Sequence, residues 1–104
     1  MLTLPIKKKW FDMIKSGEKK EEYREIKPYW FTRFKNSFYC ICDEKLVIRL
    51  GKGMVIFKNG YQKSAPKIMC KVNITTNFGK TEWGAEPNKE YYVLKILSVK
   101  EVSE

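Results

Sequence analysis

The chain has 104 residues, 43% hydrophobic and 14% aromatic, which suffices for one well-filled core and leaves little room for a second domain. Its 21 basic residues against 12 acidic ones give a net charge of +9; such an excess favours solubility and polyanionic partners but does not specify a fold. There is no histidine, which excludes Ser-His-Asp and Cys-His catalysis and imidazole-ligated zinc, so any proton transfer falls to Lys, Glu, Asp, Tyr or Cys.

Three cysteines, an odd number, argue against a disulfide framework and fit a reducing compartment. No apolar run approaches the ~20 residues of a membrane span, and Met1-Leu2-Thr3-Leu4-Pro5 is too short for a signal peptide. The expectation is one cytoplasmic domain, residues 1–104, away from any membrane. Cys40-x-Cys42 with Asp43 is half of a metal site, and only Cys70 remains to complete it; neither a metal nor a cofactor is expected.

In chain order, Leu2 to Pro5 reads as a short strand. A helix is predicted from Lys7 to Ser16, with Trp10, Met13 and Ile14 on one apolar stripe and Phe11 at its border. Gly17 stands where a left-handed cap ends a helix. Lys20 to Ile26 reads as a strand with Lys20, Glu22 and Arg24 on one face and Glu21, Tyr23 and Glu25 on the other. Neither face is apolar, which singles this segment out for function. Pro28 suits the first turn of a second helix ending near Asn36-Ser37, with Tyr29, Trp30, Phe31 and Phe34 inward and Arg33 and Lys35 outward.

The second half reads as β-structure. Leu46 to Leu50 is predicted as a strand ended by Gly51-Lys52-Gly53, and Met54 to Phe57 as another, closed by a tight Asn59-Gly60 hairpin turn. Lys67 to Ile74 alternates Ile68, Cys70, Val72 and Ile74 against Met69, Lys71 and Asn73. A loop from Asn77 to Glu90 then leads into a last strand, Tyr91 to Val99. The order predicts an α+β fold, a small mixed or antiparallel sheet closing toward a barrel with two short helices over it.

Gly17-Glu18-Lys19-Lys20-Glu21-Glu22-Tyr23-Arg24 fits the pattern G-x-K-x-x-E-x-R and follows a strand and an amphipathic helix. With Pro28-Tyr29-Trp30, Asn59-Gly60-Tyr61 and Trp83-Gly84-Ala85-Glu86-Pro87, this resembles the ASCH domain family, in a phage or Gram-positive type of branch. The resemblance spans residues 2 to 97. It implies a PUA-like β-barrel that binds RNA or a modified nucleoside. Some relatives are amidohydrolases acting on acetylated cytidine and others have been described as ribonucleases. In the amidohydrolases the motif lysine, here Lys19, and a threonine at the position of Glu22 are catalytic, together with a downstream glutamate, for which Glu82 and Glu86 are the candidates.

Read without the family, Lys19, Glu22 and Arg24 form a polar constellation. Glu22 and Arg24 share a strand face, so the carboxylate can orient the guanidinium, whose planar fork suits phosphate or a base edge. Lys19 converges with them only if the turn after Gly17 swings it round. Trp83, in a loop rich in Gly and polar residues, is a candidate to stack on a base, as is Tyr61 at the hairpin tip. Cations at Lys7 and Lys8 oppose the dipole of the helix they begin, which makes them candidates for phosphate contact. The candidate set is thus Lys19 and Glu22 for catalysis, and Lys19, Glu22, Arg24, Lys7, Lys8, Tyr61, Trp83 and Glu86 for binding. A binding module for RNA or a modified nucleoside, an enzyme using Lys19 and Glu22, and a cleft for a protein partner are the three readings.

Overall fold

The sheet is built from strands that the chain lays down far apart in sequence. In the computed structural model, which describes residues 1–102 and so leaves the last two residues of the expected domain outside, the elements run β1 (Leu2–Ile6), α1 (Lys8–Ser16), β2 (Glu21–Arg24), α2 (Pro28–Ser37), β3 (Tyr39–Ile41), β4 (Leu50–Asn59), β5 (Lys67–Phe78) and β6 (Glu90–Glu101). The sheet order is β1-β4-β5-β6-β2, with β3 also paired to β4. Only β1 and β4 run parallel; the other pairs are antiparallel. The result is α+β, a curled mixed half-barrel with two helices, as the sequence predicts. No helix among the described residues is long and apolar enough to cross a membrane.

The helices form where their caps and apolar stripes place them. Phe11 and Ile14 are buried beneath α1, which stops at Gly17, where φ is +86°, a conformation costly for any residue with a Cβ. Pro28 opens α2 and Phe34 anchors it, stacked between Trp30 and Phe38. Tyr29, expected inward, is exposed instead, because a helix anchored on Phe34 carries Tyr29 round to the outer side, where its ring meets the Arg33 guanidinium at 3.7 Å. The main core gathers Leu4, Val55, Phe57, Ile68, Ile74 and Leu94 between the helices and the concave face of the sheet. The alternation expected of β5 holds: Ile68, Cys70, Val72 and Ile74 are all buried.

Three local expectations are corrected. Leu46 to Leu50 is not a strand: Leu46 takes φ +63° in a turn, joined by the Val47 N–H to Glu44 C=O bond at 3.1 Å, and pairing begins only at Leu50. Gly51-Lys52-Gly53 does not end a strand but lies inside β4. The glycines are needed there for room, since a Cβ on Gly51 would stand 2.2 Å from Ile74 Cγ2 and one on Gly53 2.2 Å from Phe38 Cδ1. Nor is Asn59-Gly60 a two-residue hairpin. The Gly60 N–H donates to Ile6 C=O at 3.2 Å, tying the turn to β1, and the chain bulges through residues 60–66 before Asn59 N–H closes the loop on Pro66 C=O at 2.9 Å. β3, unpredicted, is a short edge piece against the glycine-bearing start of β4.

A second small cluster of Tyr23, Ala85, Tyr91 and Val93, with Trp83 against it, lies on the opposite side of β6 and β2. The segment between β5 and β6 covers that side, anchored by Lys80 N–H to the Tyr23 hydroxyl at 2.9 Å and Glu86 N–H to the Tyr91 hydroxyl at 3.0 Å. This is why β2 shows no apolar face: Glu22 and Tyr23 point to opposite sides and both are buried.

Gly53→Ala is expected to lower the unfolding free energy by about 1–3 kcal/mol through overpacking against Phe38. Urea unfolding of the two proteins measures this, and an unchanged midpoint would show that Phe38 moves aside freely.

Candidate functional site

The turn after α1 decides where the motif lysine goes. With Gly17 in the left-handed region, the Lys19 N–H reaches back to Met13 C=O at 2.9 Å, and the side chain is drawn beneath the helix instead of following the alternation of β2. Lys19 is 1% exposed. Its Nζ donates to the Trp83 carbonyl, lies 3.1 Å from Glu22 Oε1 and sits 4.1 Å from the Trp10 ring centroid and 5.4 Å from that of Tyr23. An ammonium removed from water is retained only where a carboxylate, a carbonyl and aromatic faces replace its hydration, and all three are present.

Glu22 is shared. Its Oε2 is 2.5 Å from Arg24 Nη1, so one buried carboxylate lies between two cations. If all three are ionised, two positive charges and one negative leave the cluster at +1. Burial pulls the Lys19 ammonium below its ordinary value of 10.5, opposed by the Glu22 charge and hydrogen bond and assisted by Arg24. The Tyr23 phenol is pushed up, first by burial and then by its hydrogen bond to Glu21, which it donates at 2.7 Å.

Arg24 has a second task. β1 and β2 are the two margins of the sheet path, and the guanidinium reaches both: Nη1 donates to Tyr23 C=O on β2 at 2.8 Å and Nη2 to Pro5 C=O on β1 at 3.3 Å. The seam of the half-barrel is thus bridged by a side chain where a closed barrel has a ladder. Trp30 packs alongside at 5.3 Å. Much of the arginine fork is engaged within the protein, so the sequence-based picture of a fork held free for phosphate needs revision.

A cavity of about 800 Å³ opens along this seam, with Lys19, Glu22 and Arg24 among its lining residues. Trp10, Tyr29, Trp30, Tyr61 and Trp83 contribute aromatic walls, and Lys7, Lys8 and Arg33 add positive charge. Gly84 lets Trp10 sit close: its φ is +101° and a Cβ there would stand 3.0 Å from Trp10 Cζ2.

Seven of the eight expected site residues therefore meet at one cavity: Lys7, Lys8, Lys19, Glu22, Arg24, Tyr61 and Trp83. Tyr61 is 88% exposed at its border, and Lys8 also pairs with Asp12 at 2.5 Å. Glu86 is not brought there; it is exposed and pairs with Lys89 at 3.1 Å, because the loop is pinned by its backbone to Tyr91 with the carboxylate outward. Glu82 is absent from the lining too, and Glu22 is the one carboxylate lining the cavity among the described residues. Trp10 and Trp30, expected in the core, do pack against it and Arg33, expected outside, is exposed, but sequence reasoning missed that these three and Tyr29 also line the cavity. An apolar stripe does not distinguish a core wall from a cavity wall; the one available signal was the excess of aromatics in α1 and α2 over what so short a helix can bury.

The chain matches no family model, no curated protein and no solved structure.

Replacing Glu22 by Gln is expected to cost about 3–5 kcal/mol of stability, since Lys19 and Arg24 would remain buried without their shared counterion. Urea unfolding at neutral pH gives the difference; a loss below about 1 kcal/mol would mean the charges are not desolvated as described.

Proposed function

We propose that the chain is an ASCH-type, PUA-like domain whose seam cavity binds a nucleotide of RNA or a modified nucleoside. The observation that carries this is the meeting of a buried Lys19-Glu22-Arg24 cluster with aromatic walls and a basic margin in one cavity. A cavity of about 800 Å³ lies in the range of small-molecule sites, roughly 300–1,000 Å³. Planar faces on its walls suit base stacking, and Lys7, Lys8 and Arg33 suit phosphates. The net charge of +9 adds long-range attraction for a polyanion. Three free thiols fit a cytoplasmic setting.

The geometry favours binding over hydrolysis. A lysine acting as nucleophile or base needs a free lone pair aimed at the substrate, whereas Lys19 is held as a donor by the Trp83 carbonyl and Glu22. No second carboxylate lines the cavity among the described residues to share a proton with Glu22.

Titration of a short single-stranded RNA by fluorescence anisotropy tests the proposal. If Lys7, Lys8 and Arg33 each neutralise one phosphate, affinity falls with a log–log salt slope of about −2, or roughly 20-fold between about 50 and 200 mM salt. Trp83→Ala keeps the backbone carbonyl for Lys19 and is expected to weaken binding by about 1–3 kcal/mol through lost stacking. Binding that ignores salt, or none at the lower salt, contradicts the proposal.

A further inference from the structure

The margin of the sheet along the seam exposes backbone as well as side chains. Along a strand, successive residues turn their N–H and C=O groups to opposite edges. Ile6 C=O accepts from Gly60 N–H, on the β4 side, so Leu4 and Leu2 also face β4. Pro5 C=O accepts from Arg24, on the seam side. Thr3, two residues from Pro5, therefore turns both its N–H and its C=O toward the seam. Thr3 itself lines the cavity. It presents one donor and one acceptor side by side, backed by the rigid β1–β4 ladder in which Thr3 stands opposite Ile56.

What occupies such an edge depends on its length. An added peptide strand needs a run of alternating donors and acceptors. Here the run ends at once: Pro5 has no N–H to give, and its carbonyl is already held by Arg24. Within β1, Thr3 is therefore the one residue that offers both a donor and an acceptor toward the seam. It fits a short planar group carrying an adjacent donor and acceptor, as nucleobase pairing edges do, in one order on adenine and cytosine and in the opposite order on guanine and uracil, and the aromatic walls suit the flat faces of the same group.

We propose that the backbone N–H and C=O of Thr3 read the pairing edge of the bound nucleobase, making Thr3 a specificity-determining position whose side chain is not the reader. This rests on the nucleotide-binding reading and adds to it the atoms that contact the base. Recognition through an amide pair fixed by the sheet costs little ordering on binding, and it discriminates because a mismatched edge leaves Thr3 groups desolvated and unpaired.

The test uses the full chain and two substitutions. Thr3→Val keeps the backbone pair and removes the hydroxyl; Thr3→Pro removes the N–H at a seam-facing edge position, where proline is tolerated in a sheet. Circular dichroism checks that both variants fold. The four nucleoside 5′-monophosphates are titrated into each, with ribose 5-phosphate as a probe that carries the phosphate but no base. Wild type and Thr3→Val are expected to bind the preferred nucleotide alike, and Thr3→Pro about tenfold more weakly, with the affinity for ribose 5-phosphate unchanged in all three. In NMR spectra of ¹⁵N-labelled wild type, the Thr3 amide shifts with the nucleotide and not with ribose 5-phosphate. Equal nucleotide affinities for Thr3→Pro and Thr3→Val, or a Thr3 amide that does not respond, overturn the subsite while leaving nucleotide binding standing. If the Thr3→Pro variant does not fold, the amide response in wild type alone decides. If wild type binds the nucleotides no better than ribose 5-phosphate, base recognition fails, and both the subsite and the reading beneath it fall.

Discussion

One buried carboxylate organises the molecule. Glu22 lies between the Lys19 ammonium at 3.1 Å and the Arg24 guanidinium at 2.5 Å, and none of the three is tolerable in that place without the others. A lone ammonium or carboxylate out of water is strongly disfavoured. Together, with the Trp83 carbonyl and the Trp10 face completing the ammonium's surroundings, they form a charged cluster fixed in position. Breaking it by removing one member costs far more than a surface ion pair is worth.

That constraint reaches outward through each partner. Arg24, steered by Glu22, joins the two margins of the sheet through the carbonyls of Tyr23 and Pro5, so the half-barrel holds its curvature around an open seam. Lys19, by taking the Trp83 carbonyl, fixes the segment between β5 and β6 over one end of the cavity. That segment is in turn anchored by Tyr23 and Tyr91. The cavity is therefore the space that a closed barrel would have filled, held open by charge. The cavity is preorganised in the sense that its donors and aromatic faces are already in place.

How much of this the sequence discloses varies with the physical cause. Both helices are legible because Gly17 and Pro28 have conformational roles readable from their chemistry alone, and β5 because its alternation is clean. The polar character of β2 singles out a segment that the structure places at the cavity. The glycines of β4 mislead: Gly51 and Gly53 look like turn residues, yet they serve contact with Ile74 and Phe38, partners distant in sequence. Asn59-Gly60 misleads for the same reason, since its amide is claimed by Ile6 of β1. Trp10 and Trp30 read as core and do pack against it, but a pattern of apolar spacing reports only that a side chain leaves water, not that its other face lines a cavity. The seam is the feature least accessible from sequence, because it requires knowing that β1 and β2 end as the two margins of one sheet.

The most direct test of the central claim is the titration of the Lys19 side chain itself, followed by NMR of its ¹⁵Nζ or ¹³Cε resonance from pH 7 upward. Burial disfavours the charged form and outweighs the pull of Glu22, so the account predicts a midpoint clearly below the ordinary lysine value of 10.5. A midpoint at or above that value would place the ammonium in water or in a simple exposed ion pair, and would contradict the buried cluster on which the fold of the seam and the cavity both rest.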